Sequence, residues 1–342
     1  MYSDEDLNNA VENGIFSASD VDKFRQFVAE TKQTTLVDEE NFRLLSGFND
    51  IFVVIACVLL LGSVLAVFGS EHKQTGLILF TVVAWGLAEF FVRRRKLALP
   101  AIVLLLAFVG GAFFLTLTYF KPVDETSFMI ATAVATLAAY MHWRQFRVPI
   151  TVAAGAAALS GFVIFMTLAI FPGIKEWILL LIFLCGLLMF AYAMYWDMSD
   201  RQRVTRFSDV AFWLHLTSAP LIIHPIFAVL QVTKHDASLT SMFVVPVLYL
   251  LMIFISLVID RRAFMVSSLF YVVFALAKIF ESFGSVGKSF AITGIVIGSA
   301  LLLLSAFWHT ARVWLLGLMP AHITARLPVA RTGNAPATAN KA

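Results

Sequence analysis

Ten apolar runs separated by short polar stretches dominate the chain, at 48–68, 75–92, 98–120, 125–142, 148–171, 174–196, 210–231, 240–259, 263–282 and 289–309. About 20 consecutive apolar residues cross the hydrocarbon core of a bilayer as a helix, so each run predicts one transmembrane helix. Several linkers are only a handful of residues long, which makes consecutive helices antiparallel neighbours. The fold expected is therefore all-α: a polytopic transmembrane bundle of about ten spans.

The flanks read differently. Residues 1–47 are polar and carry helix punctuation. Ser3 and the acids after it form an N-cap pattern, and Asn13-Gly14 is a stop signal. Ser17, with Asp20 three residues on, opens a second helix with Val21, Phe24, Phe27 and Val28 on one face, and a third stretch at 36–45 leads into the first span. The pattern predicts a small cytoplasmic helical hairpin. At the other end, Arg312 to Met319 with Trp314 reads as a short interfacial helix. Residues 320–342, rich in Ala, Thr, Pro and Asn, read as a disordered cytoplasmic tail. The division expected is 1–47, 48–319 and 320–342.

Composition places the chain in the membrane class. Of 342 residues, 60% are hydrophobic and 14% charged, against about 45–50% and about 25% in soluble domains. Charge placement sets the orientation. Every arginine falls on one set of alternating segments: the N-terminal region, 93–95, 144 and 147, 201–206, 261–262 and the C-terminal region. The intervening loops carry one lysine each, Lys73, Lys121, Lys175, Lys234 and Lys288. The positive-inside rule then puts both termini in the cytoplasm, and an omitted span would scramble the alternation. The acidic N-terminus carries no signal-peptide pattern, so the first span is expected to act as its own insertion signal.

The acidity of residues 1–47, ten acids against four bases, also excludes nucleic acid as a partner of its short helices, because phosphate would be repelled. A cytoplasmic protein, the membrane domain or another copy of this protein is the partner expected for that segment, and the lipid bilayer is the partner of the spans. Cys57 and Cys185 lie in apolar runs and read as buried free thiols.

Polar residues inside spans are costly in hydrocarbon and are the natural site candidates. The seventh span holds His215, Thr217, Ser218, Pro220, His224 and Pro225. Proline removes a backbone hydrogen bond, so a membrane helix carries it where protein or water satisfies the freed carbonyl. Two prolines and two histidines predict a kinked helix that faces the bundle interior. The nine-residue separation puts the imidazoles about 13 Å apart along an ideal helix, on opposite faces, too far to share a metal. In the ninth span, Glu281 lies three residues after Lys278 on the same face and would neutralise it. The candidate intramembrane site is thus His215, His224, Lys278 and Glu281 with Thr217 and Ser218. Histidine titrates near neutral pH, which suits a proton pathway; a purely structural kink explains the same residues. Metal or haem ligation would pair His215 with His142, but no spacing demands it, and no cofactor or metal is expected.

Glu89 stands four residues before Arg93, an i,i+4 pair at the lipid boundary. Small residues at Ala153, Ala157 and Gly161, and at Gly294 and Gly298, mark helix-packing faces, within the chain or between copies of it. Phosphate-binding Gly loops, His-Glu-x-x-His helices and Gly-x-Ser-x-Gly elbows are missing from the sequence, and no catalytic pair stands out.

The stretch Ala-Lys-Ile-Phe-Glu (277–281), followed by Ile-Thr-Gly-Ile-Val-Ile-Gly-Ser-Ala (292–300), resembles the C-terminal end of a group of uncharacterised bacterial polytopic membrane proteins. Their short N-terminal helical segments are similar to Gly14-Ile15-Phe16-Ser17 and the helix after it. In that group the acid more often follows the lysine by four residues; here it follows by three. The resemblance implies a bacterial inner membrane and no particular activity. Two readings of function stand: a transporter or channel for a small solute or ion, proton-linked if the histidines titrate, and a membrane-embedded scaffold or sensor that binds a partner through its acidic N-terminal segment. Inverted-repeat carriers break helices at matching positions in both halves, and the second span lacks the prolines of the seventh.

Overall fold

A computed structural model describes residues 4–24, 48–201, 206–230, 239–282, 289–324 and 327–328. Among these residues the chain is helical throughout, without a strand. It divides into two compact units, one built from the two chain ends and one covering 43–330.

In the first unit, α1 spans Asp4–Glu12 and α2 covers 18–24. The punctuation between them is as the residues dictate. Gly14 adopts φ +71°, a left-handed conformation that costs glycine nothing, and the amide of Ile15 donates back to the carbonyl of Ala10 at 2.8 Å. Ser17 and Asp20 cap α2 reciprocally: the Asp20 amide donates to Ser17 Oγ at 3.2 Å, and Ser17 Oγ donates to the Asp20 carboxylate at 2.6 Å. Phe27, Val28 and the stretch at 36–45 lie outside the described residues, so the described part of the expected hairpin is α1, its turn and the start of α2.

The second unit carries a helix at each of the ten apolar runs. They are α3 Phe48–Gly69, α4 Lys73–Ala88, α5 Ala98–Leu117, α6 Glu125–Phe146, α7 Ile150–Ile170, α8 Ile178–Ser199, α9 Arg206–Val229, α10 Leu239–Ile259, α11 Ala263–Ser282 and α12 Ser289–Ala306. A π-helical turn, Glu89–Arg94, extends α4, and a 3-10 turn, Pro172–Trp177, precedes α8. Among the described residues, six helices are long and apolar enough to cross a membrane: Phe48–Gly69, Lys73–Arg94, Ala98–Leu117, Ile150–Ile170, Pro172–Ser199 and Arg206–Val229. This is fewer than the ten expected. Threonine, histidine and arginine dilute the apolar character of α6, and the described apolar stretches of α10 and α11, Val244–Ile259 and Ala263–Ala277, are shorter. The last run is broken: α12 and α13 (Trp308–Gly317) meet at an angle of 71°.

The C-terminal segment departs from the expectation of a tail that begins at 320. Ala321–Thr324 forms a short helix, α14, and Leu327 and Pro328 are buried. Arginines at the same end of the bundle take up their backbone carbonyls, as described below.

Small residues set the close helix contacts. Gly161 faces Thr132 and Gly155 faces Ala139 of α6, while Ala153 and Ala157 pack in the cluster of Met189, Ala193, Val210 and Leu214 from α8 and α9. At Gly186 a Cβ would stand 2.9–3.0 Å from the side chain and backbone of Ile222. Only glycine lets α8 and α9 approach so closely, and that contact brings the candidate site together. Gly294 and Gly298 of α12, by contrast, have open space where a Cβ would be.

Candidate functional site

Across the α8–α9 contact meet Asp197, two residues before the end of α8, and His215, nine residues into α9. Their side chains are 1% and 0% exposed. His215 Nε2 lies 2.8 Å from the Asp197 carboxylate; because a carboxylate only accepts, Nε2 carries the proton. The rings of Phe190 and Phe264 flank the imidazole, with centroids 5.3 and 6.5 Å away.

Arg261, 2% exposed, holds the other oxygen of Asp197 at 2.6 Å. The same guanidinium donates to the Ser208 carbonyl at 3.1 Å. Its placement follows from the tight turn between α10 and α11. Asp260 adopts φ +58°, a left-handed conformation that aspartate tolerates better than most residues. The Arg261 amide then donates to the Ser256 carbonyl at 2.9 Å, and the Met265 amide to Ser256 Oγ at 3.1 Å. The turn thereby projects three consecutive side chains in different directions. Asp260 accepts from the Trp308 indole at 2.8 Å and pairs with Arg312 at 3.6 Å. Arg261 reaches Asp197, and the Arg262 guanidinium lies over the Trp308 ring, 5.1 Å from its centroid.

Arg312 completes the group. It is buried and donates to the carbonyls of Leu257 at 3.2 Å and Pro328 at 2.7 Å. Arg201 donates to the Leu327 carbonyl at 3.0 Å. The buried Asp200 and half-buried Asp209 belong to the same arginine-rich end of the helices. Two acid–base pairs, Asp197–Arg261 and Asp260–Arg312, sum to zero charge, and that compensation is what makes burial of such groups tolerable.

The sequence-predicted site is divided by this geometry. His215 is buried as expected. His224 is not in the interior with it: His224 lies on the exposed side of α9, and its Nδ1 is 2.7 Å from the Tyr271 hydroxyl of α11. The two imidazoles project from opposite faces of one helix, so one of them must leave the core. Pro220 is exposed and Pro225 buried within a helix assigned continuously from Arg206 to Val229. Thr217 bonds back to the Trp213 carbonyl at 2.7 Å and Ser218 to the His215 carbonyl at 3.1 Å, so both hydroxyls are satisfied within α9. The side chains of Lys278 and Glu281 lie outside the described residues.

His142, the candidate partner for His215 in metal binding, has other neighbours. It is enclosed by Trp85, Phe108 and Phe146, and its Nδ1 is 3.2 Å from Thr151 Oγ1. Among the described residues no group of three His, Cys, Asp or Glu side chains could hold a metal ion. The Glu89–Arg93 pair forms, and Gln145 also donates to Glu89 at 3.0 Å.

Sequence reasoning missed Asp197 and Arg261. Asp197 follows directly on the sixth apolar run, and Arg261 had the look of a loop charge that only sets topology. No local signal pointed to them, because Asp197 lies 18 residues from His215 and 64 from Arg261 in the chain, and only helix packing brings the three together. Comparison of the chain with protein families, with curated proteins and with solved structures finds no match in any of the three.

Proposed function

We propose that the chain is a ten-span protein of a bacterial inner membrane, with both termini cytoplasmic, that couples proton uptake to the movement of a small solute or ion. The observation that carries this reading is His215: an imidazole, fully buried, sharing one carboxylate with an arginine from another helix pair. Such a buried ionisable group inside a membrane bundle is a functional candidate by its cost alone.

The chemistry is a competition. With His215 neutral, Asp197 and Arg261 balance each other. A proton added at Nδ1 makes the ring an imidazolium, strengthens its hold on Asp197 and leaves Arg261 a smaller share of the carboxylate. Arg261 belongs to the α10–α11 turn, and Asp197 and His215 to the α8–α9 hairpin. Protonation therefore biases how the two hairpins meet, which is the kind of two-state element that coupling requires.

The test is flux. The protein reconstituted in proteoliposomes should acidify or alkalinise the lumen when an ion or solute gradient is applied, and His215→Ala should abolish that response. Pairwise screening of small ions and solutes in which no gradient moves protons would remove the transport reading. A second reading, a scaffold or sensor, is favoured by one observation: the same cluster holds the C-terminal residues Leu327 and Pro328 by their carbonyls. On that reading His215→Ala alters the proteolytic accessibility of the C-terminal segment and moves no solute.

A further inference from the structure

We infer that the arginine-rich ends of α4 and α6 form a binding site for the phosphate of an anionic phospholipid headgroup. The inference is independent of what His215 does.

Two sets of basic residues at the arginine-rich ends of the helices contrast. Arg261 and Arg312 are buried, and their donors are spent on Asp197, Asp260 and backbone carbonyls. Arg94, Arg95, Arg144 and Arg147 are exposed. The only carboxylate found among them in the described residues, Glu89, is already engaged by Arg93 and Gln145. A bundle that needed these four cations only for internal pairing would have placed acids beside them, as it does for the other two.

Local structure gathers them. The π-turn Glu89–Arg94 ends α4 and carries the exposed Arg93 and Arg94, with the exposed Arg95 directly after it. The Gln145–Glu89 hydrogen bond and the packing of Phe146 on Trp85, 5.1 Å between centroids, hold the end of α6 beside that turn. Arg147 closes α6 in a left-handed conformation, φ +54°, which turns the chain at once into α7.

The surroundings favour a lipid over a soluble anion. Three of the guanidiniums lie over aromatic rings: Arg95 on Phe90 at 5.8 Å, Arg144 on Tyr140 at 5.9 Å and Arg147 on Trp143 at 5.9 Å. Along α6 the exposed Leu137, then Tyr140 and Met141, then Arg144 follow one face at helical spacing. This is the sequence of hydrocarbon, interface and headgroup, with amphipathic rings at the boundary. A phosphodiester with acyl chains attached matches both the cations and the apolar face beneath them, whereas a free anion or a nucleic acid matches only the cations.

The experiment titrates the full-length protein in nonionic detergent with short-chain phosphatidylglycerol, and with phosphatidylcholine of the same chains. Phosphatidylglycerol should bind saturably and more tightly, with an affinity that falls as salt rises. The variant R94Q/R95Q/R144Q/R147Q should lose about tenfold or more of that affinity, while replacement of the same four by lysine should keep most of it. Equal binding of the two lipids, or no change in the glutamine variant, overturns the proposal. Displacement of the lipid by inorganic phosphate or a single-stranded oligonucleotide at like concentration overturns it in favour of a soluble anion. If the glutamine variant does not fold, the wild-type titration decides: binding indifferent to salt excludes a phosphate site built from arginine.

Discussion

Asp197 and His215 are eighteen residues apart in the chain and 2.8 Å apart in the structure, buried at the packed face of the α8–α9 hairpin. Arg261 takes the second oxygen of the same carboxylate. One acid thus serves two donors from different hairpins, an imidazole and a guanidinium, and its removal has a different meaning for each.

The first prediction concerns that asymmetry. Asp197→Asn leaves the Arg261 charge buried without its counter-ion and should destabilise the protein by about 3–5 kcal/mol. The double variant Asp197→Asn/Arg261→Met removes both charges and should recover more than half of the loss. Thermal unfolding in detergent measures both. A double variant no better than the single would show that the pair does not act as a unit.

The second concerns the close approach that assembles the site. A Cβ at Gly186 meets Ile222 at 2.9–3.0 Å, partly at its backbone nitrogen, which cannot move aside as a side chain can. Gly186→Ala should therefore cost about 1–3 kcal/mol, the usual range for overpacking. Gly62→Ala in α3 adds the same methyl where nothing lies within 4 Å, and its unfolding midpoint should match or exceed the wild-type value. Equal midpoints for the two variants would contradict the tight contact.

The third is a pH dependence outside the spans. Asp124 caps α6: its carboxylate accepts from the Ser127 hydroxyl at 2.6 Å and the Ser127 amide at 2.8 Å. The Ser127 hydroxyl bond, then the amide bond, hold the carboxyl below its ordinary range. A lowered folded-state value means that the stabilisation is complete above the unfolded-state value, about 3.9. It is lost as pH falls through the folded-state value. Asp124→Asn retains an acceptor without the charge, so its melting temperature should lie close to wild type at low pH and below it at neutral pH. A gap between the two proteins that stays constant from neutral to acid pH would refute a titrating cap.

The fourth is topology. Reporter fusions after residue 96 and after residue 342 should both report the cytoplasm, and a fusion at Lys121 the opposite side. A C-terminal fusion on the far side of the membrane would mean that the number of crossings is odd, and the ten-span proposal would fall.

The fifth tests the link from the α10–α11 turn to α13. Trp308→Phe keeps the ring under Arg262 and removes the indole donor to Asp260. Hydrogen bonds to charged groups contribute about 1.5–3 kcal/mol, and the loss should appear in the thermal midpoint. The C-terminal segment should also become easier to proteolyse, because Asp260 helps to position Arg312, which holds the Pro328 carbonyl.

Local pattern was sufficient for much of this protein. Apolar runs located the helices, because each span's burden of apolar side chains is a property of consecutive residues. Gly14 and Ser17 located the first stop and the next start, because caps act within one turn of chain. The burial of His215 was also legible, from the cost of a polar ring in a long apolar segment. Its partners were not. Asp197 and Arg261 meet His215 only because Gly186 lets α8 and α9 close up and because Asp260 reverses the chain sharply before α11. Those are contacts between distant segments, and no window of sequence contains them. The same holds for His224: its chemistry is that of His215, and only the packing of α9 decides that one imidazole is buried against a carboxylate while the other stands outside beside Tyr271.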